Sequence, residues 1–189
     1  MRTRTTVAAA LLPLAALTAC SGNSDATPKT VRVTVTQTVT ASPSKPPAPE
    51  GPLKLGDKAT LTGADSGSTF TTQALSYTQP VKNISPPFDG EGGDVWAAIE
   101  VKVCNTDGDD FSVSQFPWHL AYADGSNVEV TGSYGGDMPK PEFPMDRKVK
   151  PGDCARGKIA FPVSSDKRPE RIVYEPDGVE PTEWAVPKS

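Results

Sequence analysis

The chain of 189 residues has one histidine, His119, and only three cysteines. It also lacks an excess of basic charge, a long apolar run and any stretch that keeps a helical period. Each of these absences excludes something. The apolar run Val7–Leu17 spans 11 residues and is interrupted by Pro13, whereas a mature membrane-spanning helix needs about 20. Without a sustained 3.6-residue period there is no basis for a helical bundle. Basic side chains number 19 against 23 acidic ones. That balance argues against a nucleic-acid partner, which favours a basic face, and against electrostatic docking on anionic lipid.

What the chain does have begins at its N-terminus. Arg2 and Arg4 precede the apolar run, and Leu17-Thr18-Ala19-Cys20 follows it. Basic segment, short apolar segment and small residues are the parts of a secretory signal peptide. The ending resembles the bacterial lipobox, in which small residues precede a lipidated cysteine. That resemblance implies cleavage before Cys20, lipid on Cys20 and a place on the extracytoplasmic face of the cell membrane. Arg2-Thr3-Arg4 is not a twin-arginine pair, so the general secretory route is expected. Cleavage would remove two basic side chains and no acid, leaving 17 basic against 23 acidic. With Cys20 assigned to lipid, Cys104 and Cys154 are left as a pair in an oxidising compartment. A metal site on those two would need further soft ligands, and none lie within sequence reach.

Composition divides the chain into three parts: a signal peptide over 1–19, a Thr/Ser/Pro-rich stalk over 20–52, and a folded domain over 53–189. The stalk ends in a run holding Pro43, Pro46, Pro47, Pro49 and Pro52, which favours an extended, solvated chain. Thr30–Thr40 alternates like a strand but has no large apolar residue, so stalk is preferred over an added edge strand.

From Leu53 onward short apolar runs recur between Gly, Pro, Asn and Asp. The expected strands are Lys58–Leu61, Thr69–Thr78, Val95–Cys104, Gln115–Tyr122, Asn127–Thr131, Asp153–Val163, Arg171–Glu175 and Glu183–Val186. Asp124-Gly125 suits a hairpin turn, and Pro151-Gly152 the centre of a type II turn. Many short strands with regular turn signals indicate an all-β, immunoglobulin-like antiparallel sandwich. Trp118, in the register Phe116, Trp118, Leu120, Tyr122, is expected at its centre.

Two strands can be set in register from sequence. Val95, Ala97, Ile99, Val101 and Val103 alternate with Glu100, Lys102 and Cys104, a period of two with one buried face. Ala155, Gly157, Ile159, Phe161 and Val163 likewise alternate with Cys154, Arg156 and Lys158. One cysteine ends its strand and the other begins its own. Pairing Cys104 with Cys154 in an antiparallel ladder sets Ile99 against Ile159, Ala97 against Phe161, Val101 against Gly157 and Glu100 against Lys158. Large meets small inside, and opposite charges meet outside. Lys102 against Arg156 is the one poor pair, with Glu100 on the diagonal. Such a bridge closes a loop of about 50 residues, worth roughly 4 kcal/mol in the chain-entropy model.

Three segments then fall in order: Val101-Lys-Val-Cys-Asn-Thr-Asp-Gly-Asp, Leu120-Ala-Tyr-Ala-Asp-Gly, and Pro151-Gly-Asp-Cys-Ala-Arg-Gly-Lys-Ile-Ala-Phe. The chain over residues 55–176 resembles an uncharacterised family of immunoglobulin-like domains on bacterial, often actinobacterial, lipoproteins. That family is similar in fold to the mycobacterial immunoprotective extracellular antigen. Pro162-Val163 departs from it, since the family tends to have Val then Pro there. These motifs mark strands and turns, so the resemblance implies a fold and no catalytic residues.

Chemistry-bearing constellations are sparse. Ala64-Asp65-Ser66-Gly67-Ser68 looks like the nucleophile segment of trypsin-type proteases, but there the histidine comes first, and His119 comes after. A Ser/Gly turn is the preferred reading. His119, on the face opposite Trp118, is expected at the surface; with Met138 and Met145 it could make a soft copper site. Asn105, Asp107 and Asp109 offer oxygen at alternate positions, with Asp89, Glu91 and Asp94 on a neighbouring loop. Gly108 is fourth in that run, not sixth as in an EF-hand loop, and no Glu closes it. A solvated turn is therefore preferred to calcium, and no cofactor is expected.

Gly132–Asp146 is the longest break between strands. Its Tyr134, Met138, Phe143 and Met145 either fold back over one end of the sandwich or form a partner contact, with Tyr134 and Phe143 partly exposed. No paired acid–base or nucleophile–base set is present, so a non-enzymatic role is expected. The reading adopted is a lipid-anchored binding module meeting an envelope protein or cell-wall partner. The alternative is an accessory domain for a small ligand or a metal ion.

Overall fold

A computed structural model describes residues 51–63 and 67–188. Cys20, the signal peptide, Thr30–Thr40 and Ala64–Ser66 lie outside the described residues. Among the described residues the strands are β1 (Ala59–Thr62), β2 (Thr69–Thr78), β3 (Val95–Asp107), β4 (Phe111–Val113) and β5 (Trp118–Ala121). They continue as β6 (Asn127–Glu129), β7 (Arg147–Val149), β8 (Cys154–Val163), β9 (Arg171–Tyr174) and β10 (Thr182–Ala185). One sheet has the order β1-β2-β3-β8 and a second β10-β9-β5-β6, while β4 and β7 form a two-stranded ribbon. Every pair in the three sheets is antiparallel. The fold is an all-β sandwich.

The β3–β8 ladder has the register expected from sequence, with Ile99 opposite Ile159, Val101 opposite Gly157 and Cys104 opposite Cys154. The two cysteines are bridged at a sequence separation of 50. Ala97, Ile99, Val101 and Val103 are fully buried. Each buried Val or Ile side chain contributes about 1.5–3 kcal/mol, which secures a register that a one-residue slip would invert. The like-charged Lys102–Arg156 pair is relieved from the diagonal, since Arg156 Nε donates to Glu100 Oε1 at 2.8 Å.

On the other side of β3, Ala74 pairs with Val101 but Tyr77 pairs with Ile99. An even and an odd position can share the inner face only if one residue is extra. Leu75 is that residue, a β-bulge between Ala74 and Ser76. β3 also runs on to Asp107, past the expected end at Cys104, because β2 continues to pair with it: Phe70 faces Asn105 and Thr69 faces Asp107. The turn comes one step later, at Gly108, whose φ is +94°.

Across the sandwich, Trp118 packs on Tyr174 with ring centroids 4.5 Å apart and on Trp184 at 5.8 Å. Phe70 meets the edge of Tyr174 at 6.4 Å and so joins the two sheets. Trp118 is thus at the centre, as its register implies. Phe116 is not beside it: it is 60% exposed. Trp118 N donates to Gln115 O at 3.0 Å, so a tight turn occupies Gln115–Trp118 and swings Phe116 outward before β5 begins. His119 is 9% exposed rather than a surface residue. It sits in register between Glu129 of β6 and Val173 of β9, so both of these cross-strand side chains share its face of the sheet and flank it there.

Both turn assignments hold. Gly125 and Gly152 have φ of +83° and +86°, and Asp153 N donates to Lys150 O at 2.9 Å across the Pro151-Gly152 turn. The strands β4 and β7 have no counterpart among the strands expected from sequence. They are three residues each and too short to display a period.

Candidate functional site

The long connection from β6 to β7 does two different things. Its second half is structural. Lys158 N donates to Pro141 O at 2.7 Å and Phe143 N to Lys158 O at 2.9 Å, so residues 141–143 pair with the outer edge of β8. The chain then turns inward. Phe143 is fully buried, and its carbonyl accepts from Gln115 Nε2 at 2.6 Å. The expectation that Phe143 is a partly exposed contact residue is therefore corrected. Once a segment has capped a strand edge, its next large apolar side chain gains most by entering the core.

The first half stays out. Tyr134 is 56% exposed, in agreement with the expectation for that residue. Met138 and Met145 are half-buried. Pro139 lies against the outer face of the first sheet, lining one small cleft with Ala98, Glu100 and Lys158. Glu142 steadies the Tyr134 turn, accepting from Gly135 N at 2.8 Å and pairing with Lys140.

A second loop, residues 79–94, meets this one. It is held over the outer face of β3 by the buried Trp96, whose Nε1 donates to Ser85 O at 3.0 Å. Val81 N donates to Trp96 O at 2.7 Å. At its tip Phe88 is 79% exposed. Glu91 joins the two loops. Its Oε2 accepts from Phe88 N at 2.7 Å and its Oε1 from Ser133 Oγ at 3.3 Å. Phe88 and Tyr134 therefore stand on adjoining loops tied by a single carboxylate. Sequence reasoning missed Phe88. The signal was present in Pro86-Pro87-Phe88-Asp89-Gly90-Glu91-Gly92-Gly93, where a large ring sits among turn formers and no strand register can bury it.

The calcium candidates do not gather. Asn105 is buried, and its Nδ2 donates to Asp109 O at 2.8 Å and to Val149 O at 3.1 Å. Those bonds tie the β3–β4 turn to β7, while its Oδ1 has no partner among the described residues. Asp107 and Asp109 are exposed. Asp94 accepts from Ser165 N and Ser165 Oγ, both at 2.6 Å. These bonds hold its carboxyl below the usual carboxylate range. Among the described residues no group of three His, Cys, Asp or Glu side chains is placed to hold a metal ion.

A family model described as a domain of unknown function, DUF4352, matches residues 60–183. The chain belongs to the DUF4352 family. No curated protein matches this DUF4352 chain. Its sandwich is similar to the crystal structure of MPT63, a secreted protein from Mycobacterium tuberculosis. The TM-score is 0.55 at 18% identity over 72% of this chain and 99% of that one. It is also similar to the yjhA protein from Bacillus subtilis, with a TM-score of 0.51 at 13% identity over 71% and 99% of the two chains. At such identities the likeness is one of fold, the immunoglobulin-like β-sandwich. Within the DUF4352 domain the matched segment contains Phe88, Glu91 and Tyr134.

Proposed function

We propose that the DUF4352 chain is a membrane-anchored, extracytoplasmic binding module without enzymatic activity. Lipid on Cys20 is the anchor, segment 20–52 is the spacer, and the partner is a protein of the cell envelope. The contact surface is the junction of the 79–94 and 130–142 loops. One observation carries this reading: Phe88 and Tyr134 keep their rings in solvent on two loops that Glu91 ties together. Aromatic residues are enriched in the buried centre of interfaces, and loops on a rigid β-scaffold are where binding residues concentrate. The Leu17-Thr18-Ala19-Cys20 ending supports the anchor. The secreted character of MPT63 is in keeping with an extracytoplasmic place.

The test is photo-crosslinking in living cells, with p-benzoylphenylalanine placed singly at positions 88, 134 and 116. Positions 88 and 134 are expected to give the same protein adduct, and position 116 none, although Phe116 is equally solvent-facing. An absent adduct at 88 and 134, or an equal one at 116, removes this surface from the proposal.

A further inference from the structure

We propose that the Phe88–Tyr134 surface takes an arginine- or lysine-bearing segment of the partner protein. This rests on the reading of that surface as the contact site and adds the chemistry of what it receives. Two features coincide there. Both rings are solvent-exposed, and the π-face of an aromatic ring attracts cations electrostatically, guanidinium groups best of all. Each ring has an exposed carboxylate close to it in sequence on the same loop, Asp89 directly after Phe88 and Asp137 three residues after Tyr134. Neither holds a hydrogen bond or an ion pair among the described residues. The other carboxylates of the two loops are occupied: Glu91 by the loop junction, Asp94 by Ser165, and Glu142 by Lys140 and Gly135.

Of the two lysines on these loops, Lys140 is paired with Glu142, which leaves Lys82 as the opposing charge. Open ring plus unpaired carboxylate is the arrangement a guanidinium fits, one face on the ring and its N–H fork on the oxygens. The molecule contains half of that arrangement already. The guanidinium carbon of Arg168 lies 4.8 Å from the centre of the Tyr77 ring. Free carboxylates at the rim also steer a basic partner toward the surface and repel anionic ones, a phospholipid headgroup included.

The probe is a short fluorescein-labelled peptide with arginines set between glycines and serines, and its citrulline analogue, which keeps the shape and loses the charge. Anisotropy is followed on the mature lipidated chain in detergent. The arginine peptide is expected to bind saturably, more weakly as salt rises, and at least about tenfold tighter than the citrulline peptide. Phe88→Ser with Tyr134→Ser should weaken binding about tenfold, and Asp89→Asn with Asp137→Asn should do the same with the rings intact. Asp107→Asn with Asp109→Asn, exposed acids at the β3–β4 turn and on neither of the two loops, should change nothing. Equal loss in that control would make the binding mere net charge and overturn the proposal. So would binding insensitive to citrulline, or ring-dependent binding of a muropeptide in place of the basic peptide. If the crosslinks at 88 and 134 form and the arginine peptide does not bind, the contact surface stands and its preference for a cationic segment falls. If neither occurs, the surface itself is wrong.

Discussion

The Glu142–Phe143 peptide lies where a side chain on Gly157 would begin: a Cβ built there overlaps Phe143 N and the Glu142 carbonyl. The register pairs Gly157 with Val101, and a small residue opposite a larger one is reason enough for glycine at the level of a ladder. The third partner shows the stronger reason. Residues 141–143 cross the edge of β8 and dip inward at this one position, which carries Phe143 into the core.

Gly157→Ala is therefore expected to cost about 3 kcal/mol or more, because the neighbour is backbone and cannot swing aside. Chemical denaturation of the variant checks this. A change under about 0.5 kcal/mol, the range of an ordinary surface substitution, would show that the strap does not sit on Gly157.

Phe143 and Tyr134 should separate in the same assay. Phe143→Ala removes a fully buried ring and is expected to destabilise by about 3–5 kcal/mol. Tyr134→Ser touches an exposed ring and should stay within about 0.5 kcal/mol. Equal effects would mean that the two residues share one environment.

The bridge between Cys104 and Cys154 closes a loop with a sequence separation of 50. Cys104→Ser with Cys154→Ser should lower stability by up to roughly 4 kcal/mol in the chain-entropy model. Thiol labelling of the denatured, unreduced protein should find neither cysteine free. Two labelled thiols would contradict the bridge.

Stability should fall at alkaline pH. Burial pushes the Tyr174 hydroxyl up to about 12, and burial also raises that of Tyr77, partly offset by Arg168. An acid whose folded pKa lies above its unfolded one stabilises the fold fully below the unfolded value, near 10 for tyrosine, and loses that contribution as pH climbs to the folded value. For Tyr174 the loss is about 2–3 kcal/mol between pH 10 and 12. Urea titrations across that window, with tyrosinate absorbance alongside, should show ionisation accompanying unfolding. Free ionisation of every tyrosine near pH 10 in the folded state would refute it.

Cys20→Ala should leave uncleaved precursor or release the protein from the membrane fraction. Mass spectrometry of the wild-type chain should find Cys20 as the modified N-terminus. Any other N-terminus sinks the anchor.

The alternation in Val95–Val103 and Ala155–Val163, with a cysteine at one end of each, was enough to set the β3–β8 register from sequence alone. Side-chain period in a strand is strictly two, and one buried face leaves one answer. Turn residues bounded the remaining long strands, and those patterns together specified an all-β sandwich. Tertiary structure decided everything that depends on a third element meeting a pair. It inserted Leu75 as a bulge, brought β4 and β7 together, drew His119 in between two strands, and sent Phe116 out on the turn before β5. It also divided one loop between two tasks, burying Phe143 against Gly157 and leaving Tyr134 in solvent beside Phe88. Apolar content in a loop states only that a ring must go somewhere. Whether it finds the core or the solvent depends on which strand edge the chain passes, and that edge is far away in sequence.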